Sequence, residues 1–503
     1  MHDNSHVTLT LAIADSSYDL QVVGVSGHDR LNAPFRFEVD LVSTEARLTD
    51  ASLLHRSAYL QISNQAEDVH GLHGQIHELR HLYQGQDLSL YRLTLMPSLQ
   101  RLANPTRRRV FRDLNVIEII ERVLQGHDMP GCTVRFDHVV GVYPPREQCL
   151  QYDEHDLHFL DRLCEEEGIS YRFEHSPRGH TLVFSDDPMT FPEWPAAAGM
   201  AHLAERLSAR NCYSSHAGEH YVPLSSWSSS ASEADNQPFW APYGETLPPG
   251  RLQQIRSRTL ERLRCERRDI KGNSAQPWLR GGLVIRVDDH PEPQFNDHWL
   301  LTDVSHTAWE LAPLRGCASC DVVHILQAMA FRDTGGNGVS RLLAPDAKGG
   351  KPPLAHYDNQ FQVIPWTLPF RPTLAHLKPV LLDEEYATRL SGPADRSGRI
   401  PVRFDWETDE TSPGCLVRTV TGLMPHQEGT RLKIGFFEGD PEQPVIVGTL
   451  DNEPDNDTPV PRDTAKSLCI DSQSPLLLKG AHATLSITED GVHYLPQAAV
   501  NDA

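Results

Sequence analysis

Short runs in which apolar and polar residues alternate, punctuated by turn residues, recur along this chain, and that period of two constrains the fold more than any other feature. A strand sends successive side chains to opposite faces, so such runs bury their apolar side only when strands pair into sheets. Residues 7–13, 35–42 and 88–96, the last stopped by Pro97, carry the pattern and predict an all-β barrel or sandwich in the first hundred residues. It returns at 169–174, 181–185, 283–287 and 299–304, and again within 379–452 and 476–494. Between these runs the spacing switches. Val116, Ile119, Ile120, Val123 and Leu124 share one face of a helix over 113–126, with Gly126 placed to end it. A second helix is predicted from Asp153, whose carboxylate would cap free backbone N–H groups, with Leu157, Leu160, Leu163 and Cys164 inward and Gly168 as the stop. A third spans about 250–268. The expected fold class is mainly β with a few helices (α+β).

At 503 residues the chain exceeds one core, and roughly three domains are expected. Hydrophobic residues at 39% and charged residues at 23% fit a globular chain better than a disordered or membrane one. Residues 225–249, which contain Ser-Ser-Trp-Ser-Ser-Ser and several prolines, and the Gly/Pro-rich 334–353 read as a loop and a linker. The excess of 68 acidic over 46 basic residues, a formal charge of −22, repels phosphate backbones, so no nucleic-acid partner is expected. No basic region precedes an apolar stretch at the start and no run is long enough to span a bilayer, which predicts synthesis and first folding in the cytoplasm. Nine cysteines scattered from Cys132 to Cys469 read as reduced thiols. The close pair Cys317-Ala-Ser-Cys320 lacks a second pair at zinc-ribbon spacing and is expected to be two ordinary thiols on a strand or turn.

One string imitates an active site. His77-Glu78-Leu-Arg-His81 satisfies the zinc-protease pattern, which needs both imidazoles one turn apart on a helix with the glutamate beside the bound water. Gly74 and Gly85 bracket it, and residues 84–87 lead straight into the strand 88–96, so a hairpin is the natural local structure. On a strand, residues four apart are separated by about 13 Å, whereas ligands about 2 Å from one zinc must lie within roughly 4 Å of each other. No Gly-x-x-His follows to supply a third ligand. His77 and His81 are therefore expected on one strand, facing one side and coordinating nothing, with no catalytic residue, metal or cofactor.

Three separated blocks carry more information. Residues 143–175 hold Gln151-Tyr152, an acidic helix start at Asp156, Arg162-Leu163, then Glu166-Glu167-Gly168 and an aromatic strand. In 398–406, Ile400, Val402, Phe404 and Trp406 alternate to one side, as the lining of a small barrel would, while Arg399, Arg403 and Asp405 face out. In 432–452, Gly439-Asp440-Pro441 supplies turn chemistry between two apolar runs, with Pro444 and Gly448 in the second. Together, in this order, the blocks resemble the VgrG spike proteins of type VI secretion, themselves similar to the fused hub and needle proteins of contractile phage tails. Residues 407–414 and 420–429 depart from that pattern, lacking the family's usual Trp-Ala-Gly and proline-arginine signatures.

The resemblance implies a hub-like region over 1–378, made of a β-barrel (about 1–105), an α/β insert (about 106–250), a helix with a second barrel (about 250–345) and a linker to 378. It further implies an oligosaccharide-binding-type (OB-fold) barrel over 379–452, and a connector with a short trimeric β-prism needle over 453–503. It implies a homotrimer that caps a tube of Hcp hexamers and meets baseplate components, a PAAR-type tip protein and effector or adaptor proteins. Membranes would be touched only during puncture, and the spike would leave the cytoplasm on firing without a signal peptide. The equivalent hub and needle of a phage-tail-like particle is the alternative. A cell-wall hydrolase is disfavoured, because no interposed domain separates the hub and barrel blocks and adjacent acids such as Glu384 and Glu385 suit a solvated face.

Overall fold

The computed structural model describes residues 7–44, 48, 53–63, 71–193, 200–207, 249–288, 290, 292–330, 354–408, 412–419, 427–450, 476–479, 483–488 and 491–496. The expected linkers at 225–248 and 334–353 lie outside them. In chain order the strands of the first third are β1 (Thr8–Ile13), β2 (Gln21–Arg30), β3 (Arg36–Ser43), β4 (Ser57–Ser63), β5 (Gly71–Gln84), β6 (Ser89–Met96), β7 (Thr106–Leu114), β8 (Cys132–Phe136) and β9 (Arg146–His155). They are followed by β10 (Ser170–Ser176), β11 (Gly179–Ser185), β12 (Met200–Leu207), β13 (Arg268–Ser274), β14 (Val284–Arg286), β15 (His298–Glu310) and β16 (Ala355–Pro365). The last are β17 (Glu385–Arg389), β18 (Ile400–Phe404), β19 (Cys415–Thr419), β20 (Arg431–Phe436), β21 (Pro444–Thr449), β22 (Leu476–Lys479), β23 (Ala483–Thr488) and β24 (Gly491–Pro496). The helices are α1 (Val116–Gln125), α2 (Asp156–Glu167), α3 (Pro249–Glu266) and α4 (Ser319–Ala330).

The chain divides into two compact units: Met1–Arg107, Asn115–Pro145 and Glu154–Lys378 form the first, and Arg108–Leu114, Arg146–Asp153 and Pro379–Ala503 the second. In the first, strands from both expected hub barrels hydrogen-bond side by side in one 11-stranded sheet, ordered β1-β4-β5-β6-β3-β2-β15-β16-β13-β12 with β14 on β15. The sheet's long pairs are antiparallel, β2 with β3, β3 with β6 and β15 with β16. A separate sheet, β10-β11-β8, carries α2 on the chain just before it.

Helix α1 forms within the predicted stretch 113–126, but Asp113 and Leu114 end β7 and the helix starts only at Val116. Asn115 and Glu118 close a capping box, and the five expected residues from Val116 to Leu124 are buried. Helix α2 departs from expectation at its start. Asp153 stays on β9 with φ of 51°, pairs with Arg108 at 2.7 Å, and caps nothing; the helix begins at Asp156, after His155. Leu157 is half-buried and Phe159 fills the core instead. Gly168 ends the helix as expected, at φ of 69°, where a left-handed conformation suits glycine. Helix α4 is an addition. Cys320 sits in its first turn and Cys317 in the turn before it, so this pair flanks a helix start and not a strand. The helix is tied to the β5–β6 hairpin by the Asp321 carboxylate, which accepts from the N–H groups of Gln86 and Asp87 (2.9 Å each) and from the Tyr83 hydroxyl.

The second unit holds a closed five-stranded barrel, β17-β18-β19-β21-β20, in which β19 and β21 run parallel. Ile400, Val402 and Phe404 line its core with Leu432, Ile434 and Ile446, while Trp406 packs against it half-buried. The β7–β9 pair contributes Val110 and Leu150 to the same core, although some 230 residues or more separate them from β17 onward. Strands β22, β23 and β24 form an antiparallel three-stranded sheet.

Candidate functional site: the signature helix and the barrel turn

Helix α2 is buried on nearly all sides, acids included, and each buried charge has to find a partner there. Arg162 is fully buried; its Nε and Nη2 donate to the two oxygens of Glu154 (2.8 Å each) and its Nη1 to Glu166 (3.0 Å). Burial pushes the Glu154 carboxyl up, but hydrogen bonds from His158 and Arg162 outweigh it and hold the group below its ordinary range. Asp156 meets His127 at 2.6 Å and Arg107 at 3.3 Å. Glu167 pairs with Arg251 at 2.5 Å. Leu163, fully buried between these charges, supplies the apolar contact.

Two further segments converge on this helix. Glu165 accepts from the backbone N–H groups of Ala375 and His376 (2.8 Å each) and from the His376 ring (2.7 Å), which raises that imidazole's pKa. Arg371 donates to the carbonyl of Gly168 (3.1 Å) and to Glu261 (2.7 Å). From α3, Arg258 donates to the carbonyl of Glu167 and to Asp186, which also accepts from the Tyr143 hydroxyl, and Arg262 donates to the carbonyl of Glu165. Asp161 accepts from Tyr171 at 2.8 Å; burial raises its pKa to about 7 against that hydrogen bond and His376. The carboxylates of α2 are thus engaged by guanidinium, imidazole, hydroxyl or backbone donors. Such an arrangement joins segments; it does not leave an acid and a base poised over a cleft.

The sequence singles out Asp156, Arg162, Leu163, Glu166, Glu167 and Gly168, and the structure gathers all six on or at the end of α2. Reasoning from sequence missed Tyr143, Asp186, Arg371 and His376, which lie far apart along the chain, and the stripe Arg251, Arg258 and Arg262. That stripe was readable, because steps of seven and four residues put arginines on one helical face, and arginine is the residue suited to buried pairing.

The remaining signature residues lie in the second unit. Gln151, fully buried on β9, accepts from Arg109 Nε at 2.9 Å. Tyr152 donates to Glu385, lies 4.3 Å under the Arg108 guanidinium and meets Trp406 edge-on at 6.0 Å. Phe404 and Trp406 stack at 5.0 Å. In the β20–β21 connection Gly439 adopts φ of 76°, and a Cβ there would meet Val380 at 2.6 Å. Asp440 accepts from the Glu442 N–H at 3.0 Å and from Gln443, fixing the turn that Pro441 occupies and that Pro444 leaves as the first residue of β21. Gly448 faces Lys433 next to a bulge in this pairing.

His77, Glu78 and His81 lie on β5, as expected. One bulge, between Ile76 and Glu78, falls at His77, and a second, between His81 and Tyr83, follows the string. His81 stacks on Tyr91 at 4.8 Å, and Glu78 pairs with Arg80 at 2.5 Å, so neither His81 nor Glu78 is set toward a common metal with His77.

A family model described as phage tail baseplate hub (GPD) matches residues 28–312. The chain is similar to the type VI secretion system spike protein VgrG4b of Pseudomonas aeruginosa, 32% identical over 479 residues that cover 88% of this chain and 56% of that protein. It is similar also to VgrG5 of the same organism, 33% identical over 480 residues, 88% of this chain and 57% of that one. The chain therefore spans little more than half the length of these curated relatives. Among solved structures, an E. coli component of the type VI secretion system, described as structurally similar to the T4 bacteriophage tail proteins gp27 and gp5, shares the fold with a TM-score of 0.64 and 22% identity over 88% of this chain and 100% of that one. On this match the chain belongs to the phage tail baseplate hub family, and within it to the VgrG spike proteins.

Proposed function

We propose that this chain works as a homotrimeric spike subunit of a type VI secretion machine. It caps a tube of Hcp hexamers in the cytoplasm, bears a PAAR-type tip protein, contacts the baseplate, and carries effector or adaptor proteins when contraction drives it through a target membrane. Its work is mechanical and organisational, not enzymatic. The observation that supports this most is the order of parts: a hub-type unit braced by buried ion pairs, a closed five-stranded barrel, and a terminal antiparallel sheet follow one another along the chain. Among the described residues the outer strands β22 and β24 of this sheet have no further strand partner, and three copies wrapped together would cover such edges.

Light scattering of the purified protein tests the assembly, with an expected mass of about three times the 56.4 kDa chain. A stable monomer with metal-dependent proteolysis would overturn the structural role. Deleting the gene should stop export of the tube protein. The family description also suits a second reading, the hub of a phage-tail-like particle; gene neighbours encoding capsid and terminase would favour that one.

A further inference from the structure

The zinc-like string leaves one residue unexplained. His77 lines a concavity of about 350 Å³ together with His55, Arg101, Gln100 and Asn104 and an apolar wall. Three features shape it. His55 holds a left-handed backbone, φ of 64°, locked by its N–H donating to the carbonyl of Ile76 at 2.8 Å, a conformation that is costly for a residue with a Cβ. The β5 bulge between Ile76 and Glu78 falls at His77 and re-aims its side chain, as bulges beside binding sites do. Arg101 is anchored through Nε to Gln75 (3.2 Å) and through Nη1 to the carbonyl of Asp128 (3.2 Å), which leaves Nη2 to serve a ligand.

The chemistry of the lining is one-sided. The chain carries a formal charge of −22, yet the nine lining residues include no carboxylate and supply cationic or N–H donors from His55, His77, Arg101, Gln100 and Asn104. Among the described residues the imidazoles of His55 and His77 make no hydrogen bond. His77 is exposed at the rim, yet partial desolvation, with His55 and Arg36 nearby, outweighs the neighbouring Glu78 carboxylate, itself taken up by Arg80, and holds the His77 pKa below its ordinary value, so an anion in the concavity would favour its charged form. Ile76, Met96 and Pro97 give the concavity an apolar wall.

We propose that this concavity is a binding site for a carboxylate carried on a short apolar stem, held by His77, His55 and Arg101. The carboxylate comes either from a small free acid or from an acidic side chain of an associating chain. Binding takes up a proton, because the anion stabilises the imidazolium form, so affinity rises as the pH falls.

Calorimetric titration of the full chain tests this with two probes, glutarate and a triglutamate peptide. Saturable binding is expected, about tenfold tighter near pH 5.5 than near pH 7.5, and weakened at least about fivefold in His77→Gln and in Arg101→Gln. Circular dichroism checks that both variants keep the unmodified fold; should Arg101→Gln lose it, His77→Gln carries the test. Glutarate binding identifies a free acid as a sufficient ligand, and binding of the peptide only identifies an acidic side chain. The proposal is overturned if neither probe binds more tightly than about 10 mM, if binding ignores pH or the substitutions, or if inorganic phosphate binds where both carboxylates fail.

Discussion

Acid should loosen the first unit through three histidines that the fold keeps uncharged. His73 on β5 and His180 on β11 are buried, and His175 on β10 has its Nε2 enclosed without a partner among the described residues. The hydrogen bonds fix their protons. His180 Nε2 accepts from the Ser98 N–H at 3.4 Å, so its proton sits on Nδ1 and is given to His73 Nδ1 at 3.0 Å. His175 Nδ1 accepts from the His73 N–H at 3.3 Å, which puts its own proton on Nε2. A second proton on any of the three sets donor against donor. The charged group that bears on the cluster is cationic Arg280, beside His175, and Phe35 and Phe173 wall it with aromatic edges. Burial therefore pushes all three pKa values down, that of His180 to about 3 from 6.5.

Because the folded pKa lies below the unfolded one, the unfolded chain binds more protons as the pH drops below 6.5, and stability is lost on the acid side. For His180 the loss between pH 7 and pH 5 comes to about 2 kcal/mol. Urea unfolding of the full chain, followed by circular dichroism at both pH values, measures it. His180→Gln keeps an acceptor for Ser98 and lowers stability at pH 7 by about 1–3 kcal/mol through the lost bond to His73, yet it should lose about 2 kcal/mol less than the unmodified chain on going to pH 5. An equal loss in both proteins, or a His180 resonance titrating near 6.5, would refute the reasoning.

Other perturbations follow from the same structure. Arg162→Ala leaves Glu154 and Glu166 buried without their cation and should cost about 3–5 kcal/mol in thermal or urea unfolding, whereas Arg162→Met with both acids changed to Gln should recover much of it. Gly439→Ala puts a side chain at φ of 76° against Val380 and should destabilise the barrel by about 1–2 kcal/mol or more, read from its unfolding midpoint. Glu78→Gln should leave oligomeric mass and export of the tube protein unchanged, since Glu78 is taken up by its pair with Arg80; loss of a zinc-dependent activity in that variant would contradict this.

Much of the chain was legible because short-range physics decides it. The period-two runs became strands, α1 took its five expected buried residues, and Ile400, Val402 and Phe404 turned into the barrel as their alternation required. Gly168 and Gly439 stand at positive φ, where the sequence needed residues free to turn. The strand setting of His77 and His81 followed from the hairpin signal around them, since rise per residue separates what a helix would bring together. What the sequence withheld depends on partners distant along the chain. Nothing local says that Asp153 stays on β9 while Asp156 opens α2, or that the acids of α2 are buried; besides Arg162 on the helix itself, their partners arrive from Arg107 and His127 before the helix and from Arg251 and His376 well after it. Nor does spacing reveal that β7 and β9 complete the core of a barrel beginning at β17, or that His55 and His77 share one concavity. Propensity and period set which segments are helix or strand; which charges can be buried, and beside what, is fixed only when the tertiary fold brings their counter-charges to them.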